Sequence, residues 1–404
     1  MPFDLVFSGG GTRGVAISGA MEVLEKRLPI IRRIIGTSAG AIAAVFGSAG
    51  FFTRDYLKLV PMQPGDPFVF SSFFGPPSAE TVREAVRQKD SETRKLLRHS
   101  FDGATEKLME KLGERRPRIT ELIKGLLGPQ KDALYDAAFE GFLDRLAARD
   151  NNPNNPHKYR AAVFSLLEFG GIFDPEPFYT WMTERMRPRL RNFTRNTTIG
   201  EFHAMTKGVG RELSVVVTDT TTSKPLVLNH RTAPMCPVSS AILMSMCVPF
   251  IWPEVQWQRG WGNYLDQDIT GHAIVDGGVL ANLPIRYMVD QHDEDVQRVM
   301  GPPAKTPNKC VALLLNGGLP IPGDVPHDEG LKLKLFERMN RLMDTMSAWQ
   351  YSSIGRFEEY ICHIPCMGHP PMEMSPTPAA IDRLQALINS GRCAMTEHAK
   401  KRKL

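Results

Sequence analysis

The sequence predicts an α/β fold: a mostly parallel central sheet interrupted by a helical insertion. Three observations carry this. The first sixty residues hold two units in which a short apolar strand feeds a glycine-bounded turn and then a helix, the way parallel sheets begin. Residues 57–159 then turn charged and helix-periodic between proline-rich boundaries. From about Lys158 apolar strands and helices alternate again, so 1–56 and 160–404 are read as one α/β domain and 57–159 as an insertion packed on it as a possible cap.

Leu5-Val6-Phe7 is the first buried strand, Ser8 to Gly14 a glycine-rich turn, and Val15 to Lys26 a helix with Val15, Ile17, Met21 and Leu24 on one face. Pro29 ends it. Ile30 to Ile35 forms the second strand, breaking into Gly36-Thr37-Ser38-Ala39-Gly40 before a small-residue helix from Ala41. In the insertion, Leu134, Ala138, Phe142 and Leu146 repeat at helical spacing. Beyond it, Leu213–Asp219 is a strand, Val238–Met246 an apolar helix, Ala273–Val275 a strand entering Asp276-Gly277-Gly278, and Cys310–Leu315 another strand. Leu331, Leu335, Met339, Leu342, Met346 and Trp349 mark a long amphipathic helix, and Pro378–Asn389 a last one closed by Gly391.

The 404 residues are 42% hydrophobic and 23% charged, the balance of a folded protein with a substantial core. A net charge of +5 is mild for this length and does not suggest a dedicated nucleic-acid binder, so nucleic acid is not an expected partner. No basic leader or cleavage site precedes the first strand, and the longest apolar stretch, Ala39–Phe52, is too short to span a bilayer. The expectation is a cytoplasmic protein, peripheral at membranes, with signal-free secretion left open. Basic Lys400–Lys403 reads as a frayed end. Cysteines 236, 247, 310, 362, 366 and 393 read as reduced, buried thiols. Cys362, His363, Cys366 and His369, with Cys393 and His398, match no common ligand spacing, so neither metal nor cofactor is expected.

Gly36-Thr37-Ser38-Ala39-Gly40 fits the G-x-S-x-G nucleophile elbow, in which a sharp strand-to-helix turn thrusts the serine hydroxyl off the sheet edge. Gly9-Gly10-Gly11-Thr12-Arg13-Gly14 packs several backbone amides between a strand and a helix, the donor type an oxyanion needs. Gly9, Gly11 and Gly14 also satisfy the dinucleotide fingerprint, which expects a carboxylate at the end of the second strand; Gly36-Thr37-Ser38 stands there instead. Asp276 ends an apolar strand before two glycines. Asp-Gly is a common structural turn, but here three glycine-rich strand ends open on one edge of the sheet, where such folds bind ligands. His292 and His327 stand in polar loops and neither suits a triad.

Gly9–Gly14, Gly36–Gly40 and Asp276-Gly277-Gly278 followed by Asn282 and Pro284 resemble, in order, the three signatures of patatin-like phospholipases. Ser239–Phe250 resembles that family's small-residue helix. The resemblance covers residues 4–60 and about 170–315, and 330–400 loosely. It implies a three-layer α/β sandwich and hydrolysis of fatty acyl esters by a Ser-Asp dyad without histidine. Ser38 would be the nucleophile, Asp276 its base supported by Gly277 and Gly278, and Gly9, Gly10 and Gly11, with Thr12, Arg13 and Gly14, the oxyanion loop. Arg13 could stabilise that loop or face a lipid phosphate. The insertion departs from the compact family pattern.

The reading is a phospholipase A type hydrolase acting through an acyl-enzyme, with burial raising the pKa of Asp276. Alternatives are a lipase, esterase or acyltransferase on other esters, an effector switched on by a protein or small-molecule activator, and a non-catalytic binding module. Transient membrane contact is expected. Trp181, Met182, Met186 and Phe193 among Arg185, Arg187, Arg189, Arg191 and Arg195 could supply it, although a basic helix with its apolar side in the core explains the same letters.

Overall fold

A computed structural model describes residues 2–28, 30–51, 91–118, 160–303, 309–321, 334–352, 354–371 and 378–404, with short pieces between 77 and 141. Sequence readings on Pro29, Leu134, Phe142, Leu146 and His327 lie outside these residues. The strands are β1 (Phe3–Phe7), β2 (Ile31–Thr37), β3 (Glu212–Asp219), β4 (Lys224–Leu228), β5 (Val255–Gln256), β6 (Ala273–Asp276), β7 (Lys309–Asn316) and β8 (Ile361–Pro365). The helices are α1 (Val15–Arg27), α2 (Ala39–Ser48), α3 (Glu92–Arg115), α4 (Arg160–Phe169), α5 (Glu176–Met186), α6 (Ile199–Met205), α7 (Val238–Met246), α8 (Arg286–Val289), α9 (Glu294–Met300), α10 (Lys334–Tyr351) and α11 (Pro378–Arg402).

The chain divides into two compact units, one of residues 1–74, 175–249 and 254–404, the other of 75–174 with 250–253. In the second, α3 meets the 136–141 turn of helix through Arg94–Glu140 and Arg98–Asp136 pairs, and both guanidinium groups lie over the ring of Phe139. Phe139 is buried there, while Ala138, which the predicted apolar face includes, is exposed.

The first unit holds the sheet. β1, β2, β3, β7 and β8 are joined by parallel pairings; β4, β5 and β6 join antiparallel. Alternation along the strands splits the core. Val6, Ile35, Val216, Ala312 and Leu314 pack with Met288 of α8 and Val296 and Val299 of α9. On the other face Gly47 of α2 approaches Ile34, leaving 3.1 Å for an added Cβ. Helices therefore cover both faces: an α/β sandwich of three layers.

One register decides where the chemistry can sit. β4 runs along β3 from Val215 to Asp219. On the opposite side of β3, β2 pairs as far as Thr37↔Val216, and β6 takes over at Asp276↔Val217. A strand has only two hydrogen-bonding sides, so β2 and β6 must abut end to end. Ser38 leaves one strand where Asp276 ends the other.

Two C-terminal readings are corrected. Gly391 does not end a helix: α11 continues to Arg402, and Gly391 is buried where an added Cβ would overlap the Ala16 carbonyl, as one on Gly19 would overlap that of Ile388. The glycines are there for close helix contact. Lys400–Arg402 is correspondingly not frayed; Arg402 donates to the Glu359 carbonyl and lies 5.2 Å from the centroid of Tyr360, and Arg27 holds the Leu404 carbonyl.

Candidate active site

Ser38 has φ 53° and ψ −123°, a left-handed setting that a non-glycine residue adopts only under constraint. The constraint is visible on both sides. An added Cβ at Gly36 would overlap the Gly40 carbonyl, and one at Gly40 would lie 2.5 Å from the Phe7 oxygen, so β1 passes directly against the turn. Thr37 donates its hydroxyl to the Ala281 carbonyl at 2.9 Å, tying the elbow to the loop after β6. The Ser38 N–H donates to Ser245 Oγ at 2.9 Å, and that hydroxyl donates to the Val216 carbonyl at 2.6 Å. Ser245 thus pins the turn to β3, and Ala39 opens α2 with its N-terminal amides at the serine.

Asp276 is 3% exposed and Ser38 6%. Asp276 Oδ1 accepts the Gly278 N–H at 2.6 Å; Oδ2 is buried without a hydrogen-bond partner. No ion pair joins it to a cation among the described residues. Burial pushes the carboxyl up to about 7, opposed by the Ser38 hydroxyl and the Gly278 amide. The Ser38 hydroxyl is near enough to oppose that shift, although no hydrogen bond joins the two side chains among the described residues. Gly277 is dictated by the junction: a Cβ there would overlap the Val216 carbonyl and reach Thr37 Cγ2 at 3.0 Å. At Gly278 it would sit 3.0 Å from Asp276 Oδ1.

The glycine loop is close by, since a Cβ on Gly9 would stand 3.1 Å from that of Ser38. Its amides are not equivalent. Gly9 donates to the Asn282 carbonyl, Thr12 to Pro371 and Arg13 to Gly10, whereas Gly10 and Gly11 are partly exposed and their N–H groups have no acceptor among the described residues. Gly11, at φ 57°, must be glycine because a side chain would overlap the Pro371 carbonyl. Gly14 ends the 3-10 turn under Ala39. Arg13 is buried and turned inward, donating from Nε to the His369 carbonyl at 2.6 Å and pairing with Asp344 at 2.7 Å. It stabilises the loop; the side chain is not presented to a phosphate.

All predicted glycines, Thr12, Arg13, Ser38 and Asp276 therefore gather on one edge of the sheet. Sequence reasoning named Asn282 in the third motif but missed the residues that brace the site through it. Asn282 donates to Tyr351 at 2.9 Å and to Gln350 at 2.6 Å, and Gln350 donates to the carbonyls of Gly278 and Val279. Their signal was the polar end of an amphipathic helix. Ser245 was one of three serines in α7, with Ser239 and Ser240, and its place in the sequence did not set it apart. The carbonyls of His369, Pro370 and Pro371 left no side-chain signal.

His292 is exposed before α9. His272 instead pairs with Asp219 at 2.8 Å, but at the last residue of β3, three beyond the β2–β6 junction. Cys362 and Cys366 are buried and their thiols pushed up to about 12, whereas Cys393 is exposed, contrary to expectation. Trp181, Met182, Met186 and Phe193 are all buried, so the basic-helix reading accounts for that segment.

By fold the chain falls among α/β proteins with a largely parallel central sheet, and a strand-turn-helix carries Ser38 at the end of β2. The patatin-like phospholipase family model matches residues 5–289, and the chain belongs to that family. A 66-residue stretch, 16% of this chain, is 44% identical to the Bacillus subtilis uncharacterized protein YqhO and spans 23% of that protein. Among solved structures, VipD from Legionella pneumophila matches at 15% identity and TM-score 0.44, covering 99% of this chain and 67% of VipD. ExoU from Pseudomonas aeruginosa, solved with SpcU, matches at 14% identity and TM-score 0.40, over 99% of this chain and 52% of that one. No helix among the described residues is long and apolar enough to cross a membrane.

Proposed function

We propose that the protein is a lipid acyl hydrolase that cleaves fatty acyl esters of phospholipids through Ser38 and Asp276. The observation that carries this is the end-to-end junction of β2 and β6, which sets a buried carboxyl with no cation beside a serine on a strained turn. Asp276 takes the Ser38 proton as Oγ attacks the ester carbonyl. The N–H groups of Gly10 and Gly11, with the amide of Ala39, receive the oxyanion. Asp276 then returns the proton to the departing alcohol, leaving an acyl-enzyme. Water, deprotonated by the same carboxylate, releases the fatty acid and frees Ser38. No metal or cofactor enters this scheme.

A carboxyl near 7 is a far better base at neutral pH than one near 4, which answers the usual objection to aspartate as a partner for serine. The unclosed Ser38–Asp276 bond suits a second reading, in which a protein or small-molecule activator completes the pair; stimulation by cell extract would favour it. The decisive test is fluorophosphonate labelling with product analysis from mixed phospholipid vesicles. The parent should be labelled at Ser38 and release fatty acid, and Ser38→Ala should do neither. Labelling elsewhere, or release by Ser38→Ala, would remove the dyad.

A further inference from the structure

Lipid hydrolysis at a surface requires the catalytic edge to be held against that surface, and the arginine-rich segment 185–195 is badly placed to do so. Arg195 of that segment pairs with Glu176, and Arg189 lies 5.2 Å from the centroid of Phe51, beside Arg211, which donates to the Gly47 carbonyl, so Arg189 stands at the C-terminal end of α2. Ser38 is at its other end, about 15 Å away along ten residues of helix. Their apolar neighbours are in the core.

A different element sits on the catalytic edge. α10 is clamped there at two points: Asp344 pairs with Arg13 under the glycine loop, and Gln350 and Tyr351 hold Asn282 and the carbonyls after Asp276. The opposite side of the helix is left to solvent. Arg338, Arg341, Leu342, Thr345, Ala348 and Trp349 recur at spacings of three and four and are all exposed, Trp349 at 81% and Leu342 at 58%. Leu280, after β6, and Leu319, after β7, are exposed at the same edge. Large apolar residues at such exposure, grouped and accompanied by arginine, mark an interaction site.

We infer that the solvent face of α10 is the docking surface for an anionic bilayer, with Trp349 and Leu342 entering the interface and Arg338 and Arg341 engaging lipid headgroups. The charge decides the occupant. Arg338 and Arg341 precede the leucine and the tryptophan on this exposed face, while the nearby Asp344 is neutralised by Arg13, which is the pattern of a helix lying in the plane of an anionic membrane. Trp349 stands seven residues from Leu342, about 10 Å along the helix, so both enter from one side. The clamps through Arg13 and Asn282 then set the glycine loop and Ser38 at a fixed height above the lipid. The inference rests on the proposed lipid substrate, but its test does not.

Full-length protein carrying Ser38→Ala, which cannot turn over lipid, is sedimented with phosphatidylcholine vesicles and with vesicles containing phosphatidylglycerol. Binding is expected only to the anionic vesicles, at least ten-fold weaker for Leu342→Ala/Trp349→Ala and for Arg338→Glu/Arg341→Glu, and unchanged for Arg187→Glu/Arg191→Glu. Brominated lipid should quench the emission of the parent, and Trp349→Phe, which keeps an aromatic ring on the surface, should abolish that quenching. Binding insensitive to the α10 variants, quenching that survives Trp349→Phe, or no binding to either vesicle would overturn the docking surface, the last pointing to a protein partner. Failure of fluorophosphonate to label Ser38 in the unsubstituted protein, with vesicle binding intact, would count against the chemistry alone.

Discussion

Two aspartates in this sheet are almost equally buried and differ in everything else. Asp4, in β1, is fully enclosed and meets Arg33 of β2, its register partner, at 2.5 Å. Asp276, at the end of β6, has one oxygen on an amide and the other on nothing, and burial drives its carboxyl to about 7. Asp4 lies near the start of the parallel strands, Asp276 near their ends, where helix N-termini and open amides converge. A buried charge with its counter-ion is a structural joint; a buried carboxyl denied one is held ready to take a proton.

The largest effect expected is on turnover. Ser38→Ala and Asp276→Asn should each lower ester hydrolysis by on the order of 10³-fold or more, read as fatty acid release. Asp276→Asn should at the same time raise stability. Below the unfolded value of 3.8 both states are protonated and there is no penalty. Between 3.8 and about 7 the unfolded chain releases its proton first, so stability falls as pH rises, and above that window the loss is complete. Asparagine removes the effect, worth on the order of 4 kcal/mol at most. Urea melts at pH 8 and pH 4 should show the variant ahead at the first and level at the second. Equal melts at pH 8 would mean that Asp276 is not the lone buried charge described.

Asp4→Asn should do the reverse: about 3–5 kcal/mol of destabilisation from stranding the Arg33 guanidinium, whose Nε already lacks a partner, with Ser38 still labelled in the folded fraction. The pH–rate profile is a subtler reading of the same contrast. Activity should rise with an acidic limb near 7, the proton of Asp276, and a limb near 4 would mean that the carboxyl is solvated during turnover.

Much of this was legible beforehand, for physical reasons. Ser38, Asp276 and the glycines were readable because each must approach another backbone or break a strand, and such demands leave glycine in the sequence. β1, β2, β3 and β7 announced themselves as apolar runs. The junction of β2 with β6 was not readable, since nothing in Ala273–Asp276 says that it shares a side of β3 with a parallel neighbour. Gly391 misled because a glycine late in a helix looks the same whether it ends the helix or admits another backbone. The inward turn of Arg13 was hidden because its partners, Asp344 and the His369 carbonyl, lie more than 300 residues away.

The smallest effect is the one that separates a dyad from a triad. Asp219 and His272 form a buried-acid and histidine pair of the kind that orients a serine triad. Asp219, however, has both oxygens committed, accepting from the Thr221 and Thr222 amides, the Thr222 hydroxyl and His272. The Thr220 and Thr221 hydroxyls close the same turn onto Ala273, making the pair a brace of the β3–β6 ladder. His272→Ala should therefore leave kcat within a few-fold of the parent and lower stability by about 1 kcal/mol, the net worth of one hydrogen bond. A drop in kcat comparable to that of Asp276→Asn, with the fold intact, would transfer the role of base from the carboxyl at the strand junction to the imidazole at the end of β3.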